Sequence, residues 1–165
     1  MTTSQLPTEP LRAEHRDLLP HVGAIDTAAD ELREWSGDEA VHVLGDIVGF
    51  LQGHLVPHAT AEEEVLYPAV EDAMAARGAT ATMQADHAEI VARIDRLTET
   101  ARAVEQRWPD EALATDLAHQ LIGLSAILQL HLRKEEDVLL PVLDAQLTPD
   151  QARELFSRMG QVAHP

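Results

Sequence analysis

The chain has 165 residues, a formal net charge of −17 from 29 acidic and 12 basic side chains, 45% hydrophobic residues and no cysteine. Such a length and apolar fraction call for one folded domain and argue against disorder. The lack of cysteine excludes disulfides, thiolate zinc sites and iron–sulfur clusters, so any metal must rest on nitrogen and oxygen, and the acidic balance with no basic patch argues against nucleic acid as a partner.

The opening stretch MTTSQLPTEP has neither the basic region nor the apolar core of a leader. No apolar run reads as a membrane span. The expectation is a cytoplasmic protein without a membrane partner, with monomer and homodimer both left open.

Helical periodicity dominates, with no sustained strand alternation. A first helix is expected from Thr8 to Trp35, capped by Thr8, with Leu11, Leu18, Leu19, Val22, Ile25 and Leu32 as apolar positions and a bend or break at Pro20. Ser36-Gly-Asp-Glu39 is a capping box and opens a second helix. Its stripe runs Val41, Leu44, Ile47, Val48, Leu51, Leu55, with His54, His58 and Glu62 on the same side. Pro57 and Pro68 rule out a straight helix here. After Arg77-Gly78, a third helix is expected from Ala79 to Arg107, with Met83, His87, Ile90, Val91, Ile94 and Leu97 on one face. Pro109 would open a fourth, whose heptad reads Leu117, Leu121, Leu124, Leu128, His131, Glu135, Val138. Thr148-Pro-Asp-Gln151 caps a short last helix. The reading is an all-α, antiparallel up-and-down four-helix bundle with an extra C-terminal helix. Residues 8–160 form its domain and 161–165 a flexible tail.

Two segments nearly repeat each other. One is His58-Ala-Thr-Ala-Glu62-Glu63-Glu64-Val-Leu-Tyr67-Pro68, the other His131-Leu-Arg-Lys-Glu135-Glu136-Asp137-Val-Leu-Leu140-Pro141. Each puts a histidine four residues before a glutamate, and residues four apart share a helix face. In an up-and-down bundle His15, early in the first helix, falls at the same end as His58, late in the second. His87 and His131 follow the same rule. The candidate metal ligands are therefore His15, His54, His58, Glu62, His87, His131 and Glu135. Imidazoles suit iron, zinc, copper or nickel, and two carboxylates can bridge a pair of cations. His54 is equally good as a supporting group. Glu63 and Glu136 point about 140° from their histidines on a regular helix, toward supporting roles or solvent, although a wide turn would exchange Glu135 for Glu136. Asp86 reads as solvent-facing or supporting, His21 as a surface partner of Asp17, and His42, His119 and His164 as surface or tail. Tyr67 either approaches the centre as a redox or supporting group or simply packs.

On His15, on H58-x-x-x-E62-E63 followed by VLYP, on His87, and on H131-x-x-x-E135-E136 followed by VLLP, the chain resembles the hemerythrin-like cation-binding domains from about Leu11 to Leu143. The resemblance implies a non-haem centre of two iron ions, held by histidines and bridged by two carboxylates and an oxo or hydroxo group. It also implies chemistry with a small diatomic or peroxide ligand. The marine oxygen carriers of that family use two histidines four apart on the third helix, whereas Met83 and Val91 flank His87 at that spacing. Their five-residue spacing to the last carboxylate would select Glu136, and the four-residue spacing of related bacterial domains selects Glu135. This departure turns the expectation away from simple oxygen transport. The leading reading is a diiron protein that reacts with dioxygen, peroxide or nitrogen oxides, in catalase- or peroxidase-like turnover, sensing or scavenging. A non-catalytic iron or oxygen store and a metal-free helical interaction protein are the alternatives.

Because imidazoles must be deprotonated to bind metal, affinity is expected to fall as pH drops through the imidazole range, near about 6.5. Metal titrations at several pH values check this; a flat profile between about pH 5 and 8 would count against a histidine-dominated site.

Overall fold

A computed structural model describes residues 6–164. Half of the N-terminal stretch read above for a leader, residues 1–5, lies outside the described residues, as does Pro165 at the end of the expected tail. Helix α1 spans Glu9–Glu31 and runs unbroken through Pro20, ending in a 3₁₀ turn at Leu32–Glu34. Helix α2 covers residues 37–74, α3 spans Ala81–Arg102 with a following turn of helix at Val104–Arg107, α4 spans Glu111–Gln146, and α5 spans Pro149–Ala163. The four long helices pack in a ring, α1 against α2 and α4, and α3 against α2 and α4. This is the all-α up-and-down arrangement expected, with α5 laid across the middle of α2.

Local chemistry explains most boundaries. Both capping boxes are present, Ser36 with Glu39 and Thr148 with Gln151. Thr8 makes no side-chain cap; its hydroxyl and its N–H instead donate to Asp144 at 2.8 and 2.9 Å, tying α1 to α4. Pro109 does not open α4. Asp110 is the cap, accepting from Leu113 N–H, and the helix begins at Glu111. Helix α5 continues past Gly160 to Ala163, where the sequence suggested a tail. Gly78, with φ +78°, turns the chain between α2 and α3.

Three π turns interrupt α2 and α4, at Leu51–Leu55, Glu62–Leu66 and Glu135–Leu139. Each ends two residues before a proline: Pro57, Pro68 and Pro141. A proline in a helix lacks an N–H and its ring crowds the carbonyl four residues back; widening the preceding turn relieves the crowding. The wide turns are closed by N–H donors five residues on, Tyr67 to the Glu62 carbonyl and Leu140 to the Glu135 carbonyl.

The extra residue in each wide turn resets the helical phase. Val138, on the expected heptad of α4, is 58% exposed, while Leu139 and Leu140 are buried. Leu19, Val41 and Val91 also lie exposed at edges of their stripes. Helix α4 is long and apolar enough by composition to cross a membrane. Here its stripe of Leu117, Leu121, Leu124 and Leu128 is buried within the bundle, as expected for a central core helix.

The interior divides in two. One apolar cluster is built around Ile25, Leu44, Ile94 and Leu121, the other around Leu11, Tyr67, Leu140 and Leu155. Between them lies a layer of buried polar side chains.

Candidate metal centre

That layer contains His15, Glu62, His87, His131 and Glu135, each at most 3% exposed, with His58 at its edge. The helices contribute as the antiparallel order requires: α1 gives His15, α2 gives His58 and Glu62, α3 gives His87, and α4 gives His131 and Glu135. Two groups of side chains converge closely enough to hold a metal ion: His15, His58 and Glu62, and Glu62, His87, His131 and Glu135. The rings of His15 and His58 stand 5.4 Å apart, those of His87 and His131 4.5 Å.

Each carboxylate divides its oxygens between the two histidine pairs. Glu62 Oε1 lies 3.0 Å from His58 Nε2 and 3.5 Å from His15 Nε2, while its Oε2 lies 3.4 Å from His87 Nε2. Glu135 Oε2 lies 3.5 Å from His15 Nε2, and its Oε1 lies 3.5 Å from His131 Nε2. This is the arrangement two cations bridged by carboxylates require.

All four imidazoles also turn their outer nitrogen to a carboxylate. His15 Nδ1 meets Glu136 at 2.7 Å, His58 Nδ1 meets Glu14 at 3.3 Å, His87 Nδ1 meets Glu63 at 3.0 Å, and His131 Nδ1 meets Asp86 at 3.2 Å. An ionised carboxylate only accepts, so Nδ1–H donates. In the neutral ring this leaves the lone pair on Nε2, aimed inward, as in carboxylate–histidine–metal arrangements. Two of the outer carboxylates are themselves held. Arg12 pairs with Glu136 and reaches Asp144 at 3.0 Å, and Lys134 pairs with Asp86.

Within this layer four buried atoms have no hydrogen-bond partner: His15 Nε2, His58 Nε2, Glu62 Oε1 and Glu135 Oε2. Buried polar atoms are normally satisfied, and leaving them bare is costly. His15 Nε2, His58 Nε2 and Glu62 Oε1 face one another and Glu135 Oε2 faces His15 Nε2 at 3.5 Å, so a cation among them fits the donor set. The electrostatics agree. Burial alone would lower the His58 pKa, but Glu62 and Glu14 carry it up to about 10. His15 and His131 are also raised, against the effect of burial, by Glu62 and Glu135. Burial pushes Glu62 up, yet His58, His15 and His87 hold it well below the usual carboxylate range. The cluster is built to surround positive charge.

His54 is not brought to the cluster. It is exposed, stacks on Phe50 at 5.8 Å between ring centroids, and lines a surface depression of about 270 Å³ that also reaches Glu14, His58 and Met159. It lies within the π turn at Leu51–Leu55, which resets the helical phase ahead of His58. A larger depression, about 770 Å³, runs between α1 and α4 past Arg12 and Glu136 to His15. His21 stacks on Phe50 at 4.2 Å, the contact found in place of the surface pair with Asp17, and His42 pairs with Asp46 on the surface.

Tyr67 approaches the centre. Its hydroxyl donates to Glu135 Oε1 at 2.8 Å and lies 3.2 and 3.4 Å from Nε2 of His87 and His131. Burial and the facing carboxylates Glu62 and Glu135 raise its pKa, keeping the phenol protonated. On a regular helix a residue five beyond Glu62 points about 140° away; the wide turn brings it back. Glu14 is the partner that sequence reasoning missed. Its signal is an acidic residue directly before the histidine in both α1 and α3, Glu14-His15 and Asp86-His87.

Fold and site together define a four-helix-bundle protein with two clustered His/Glu ligand sets. The chain matches the family model of the hemerythrin HHE cation binding domain over residues 6–143, most of its length, and belongs to that family. Neither the curated proteins nor the solved structures gave a match.

Proposed function

We propose that residues 8–160 form one metal-binding domain holding two non-haem iron ions, which reacts with dioxygen, peroxide or a nitrogen oxide. The observation that carries this reading is the division of Glu62 and Glu135 between the two histidine pairs. His15 and His58 would hold one ion, and His87 and His131 the other. Glu62 and Glu135 would bridge them and offset their mutual repulsion. Iron held this way supplies one-electron redox steps at each of two adjacent ions.

The remaining work falls to the protein. Glu14, Glu63, Asp86 and Glu136 orient the imidazoles. The apolar clusters on either side keep bulk water out. The near-complete burial of the layer admits a small ligand and excludes a large organic substrate. Tyr67 O–H donates to Glu135 and holds that carboxylate in place. Cytoplasmic location belongs to the same reading.

The test is metal analysis of the purified protein followed by a peroxide assay. About two irons per chain are expected, with hydrogen peroxide disproportionated to water and dioxygen, one molecule reduced as another is oxidised. Stoichiometric, reversible oxygen uptake without peroxide turnover would replace the enzyme reading with a binding module. A protein that binds no metal would end both.

A further inference from the structure

Tyr67 is the single tyrosine of the chain, and it is fully buried beside the metal centre. It sits five residues past Glu62, at the position Leu140 holds past Glu135 in the matching segment. Both side chains are buried behind a wide turn, but only the tyrosine brings a donor atom.

That oxygen stands among the ligand atoms of one histidine pair. Tyr67 Oη lies 2.8 Å from Glu135 Oε1, 3.2 Å from His87 Nε2 and 3.4 Å from His131 Nε2. The two Nε2 atoms are 2.9 Å apart, Glu62 Oε2 lies 3.4 Å from His87 Nε2, and Glu135 Oε1 lies 3.5 Å from His131 Nε2. Nitrogen and oxygen ligands sit about 2.0–2.2 Å from a first-row metal ion, which spaces neighbouring ligands about 2.8–3.6 Å apart in octahedral or tetrahedral geometry. Each of these separations falls within that range.

Hydrogen bonding does not account for the crowding. The phenol has one proton, and it goes to Glu135 Oε1. The Nδ1–H groups of His87 and His131 are directed outward to Glu63 and Asp86, so in the neutral rings each Nε2 carries a lone pair. Two imidazole lone pairs and a phenol oxygen therefore converge with no proton between them. A cation among them turns that repulsion into coordination.

We propose that Tyr67 is itself a metal ligand, completing with Glu62, His87, His131 and Glu135 the surroundings of one ion. The assignment rests on the binuclear reading above and adds a phenolate to its donor set. On binding, the oxygen lone pair goes to the ferric ion and the phenol proton is released to solvent. Glu62 and Glu135, which otherwise keep the phenol protonated, are bound by the same cation and no longer oppose its ionisation.

The test loads the full-length protein with iron, oxidises it to the ferric state, and records visible absorption and resonance Raman spectra. A tyrosinate-to-iron charge-transfer band is expected, with phenolate ring vibrations enhanced under it. With no other tyrosine in the chain, the signature belongs to Tyr67 directly. Tyr67→Phe should lose both features while the remaining histidine and glutamate ligands still bind iron. Affinity alone would not separate a ligand from a support, since losing an orienting hydrogen bond also costs about ten- to hundredfold. The vibrations do separate them, because a phenol that only donates to Glu135 gives none. Should Tyr67→Phe fail to fold, the wild-type spectrum decides by itself. A wild type that holds two ferric ions without phenolate vibrations overturns the assignment and leaves the binuclear centre standing. A visible band unchanged in Tyr67→Phe also overturns it. A protein that binds no iron removes the centre and its phenolate ligand together.

Discussion

Glu62→Ala is expected to lose both metal ions under conditions where Glu63→Ala still binds two. Glu62 presents one oxygen to His15 and His58 and the other to His87, so its removal strips a ligand from each position at once. It also leaves the two cations with only Glu135 between them. Glu63 touches only the outer nitrogen of His87, at 3.0 Å, from a side chain that is 44% exposed. Removing such an orienting partner costs about ten- to hundredfold in metal affinity; the loss in Glu62→Ala should exceed about a hundredfold. Metal content by elemental analysis and affinity by chelator competition measure both. Equal losses in the two variants would show that the helical phase separating the inward from the outward glutamate is wrong. Glu135→Ala should behave as Glu62→Ala does, because Glu135 is likewise shared between the two pairs.

Stripping the metal is expected to lower the melting temperature without unfolding the chain at room temperature. The apolar clusters above and below the site remain packed, and histidines raised by their carboxylate neighbours can hold protons in place of the cation. They compensate only in part, since four inward atoms lack partners. A ligand at about a thousandfold over its Kd stabilises by about 4 kcal/mol, and each kcal/mol moves the transition of a domain this size by about 2–4 °C. The loss should therefore be about 8–16 °C per tightly bound ion, reversed on adding metal back. Thermal melts followed by circular dichroism, before and after chelation, measure it. A protein that releases two ions with no change in its transition would show that the layer is satisfied without them.

The Arg12 network supports the site from α1 and α4. Arg12 joins Glu136, Asp144 and Thr8, and Glu136 in turn orients His15. The guanidinium stays charged: burial is the largest single influence and opposes this, but Asp144 and Glu136 together outweigh it and raise its pKa. The α1–α4 contact and the orientation of His15 thus share one set of ion pairs.

Much of the molecule could be read from local pattern. Leucine spacing gave the helices, and Ser36 with Glu39 and Thr148 with Gln151 marked two of their starts. The paired His-x-x-x-Glu segments, together with up-and-down order, brought His15, His58, His87 and His131 to one level before any coordinates. These features depend on neighbours within a turn or two, which a sequence displays directly.

Other features depend on how the chain answers a conflict between local preferences. Prolines at 57, 68 and 141 were visible, but not that each would be absorbed by a wide turn just ahead of it. Those turns shift the helical phase, leaving Val138 in solvent and His54 on the surface while swinging Tyr67 onto Glu135. The pairing of Glu14 with His58 and of Asp86 with His131 joins neighbouring helices, so it depends on interaxial packing that no single helix encodes. Sequence alone determined which residues could meet, through helix period and chain direction. Only the tertiary structure decided which atom of each faces inward, because that follows from a few tens of degrees of helical rotation set by wide turns and by the packing of four helices.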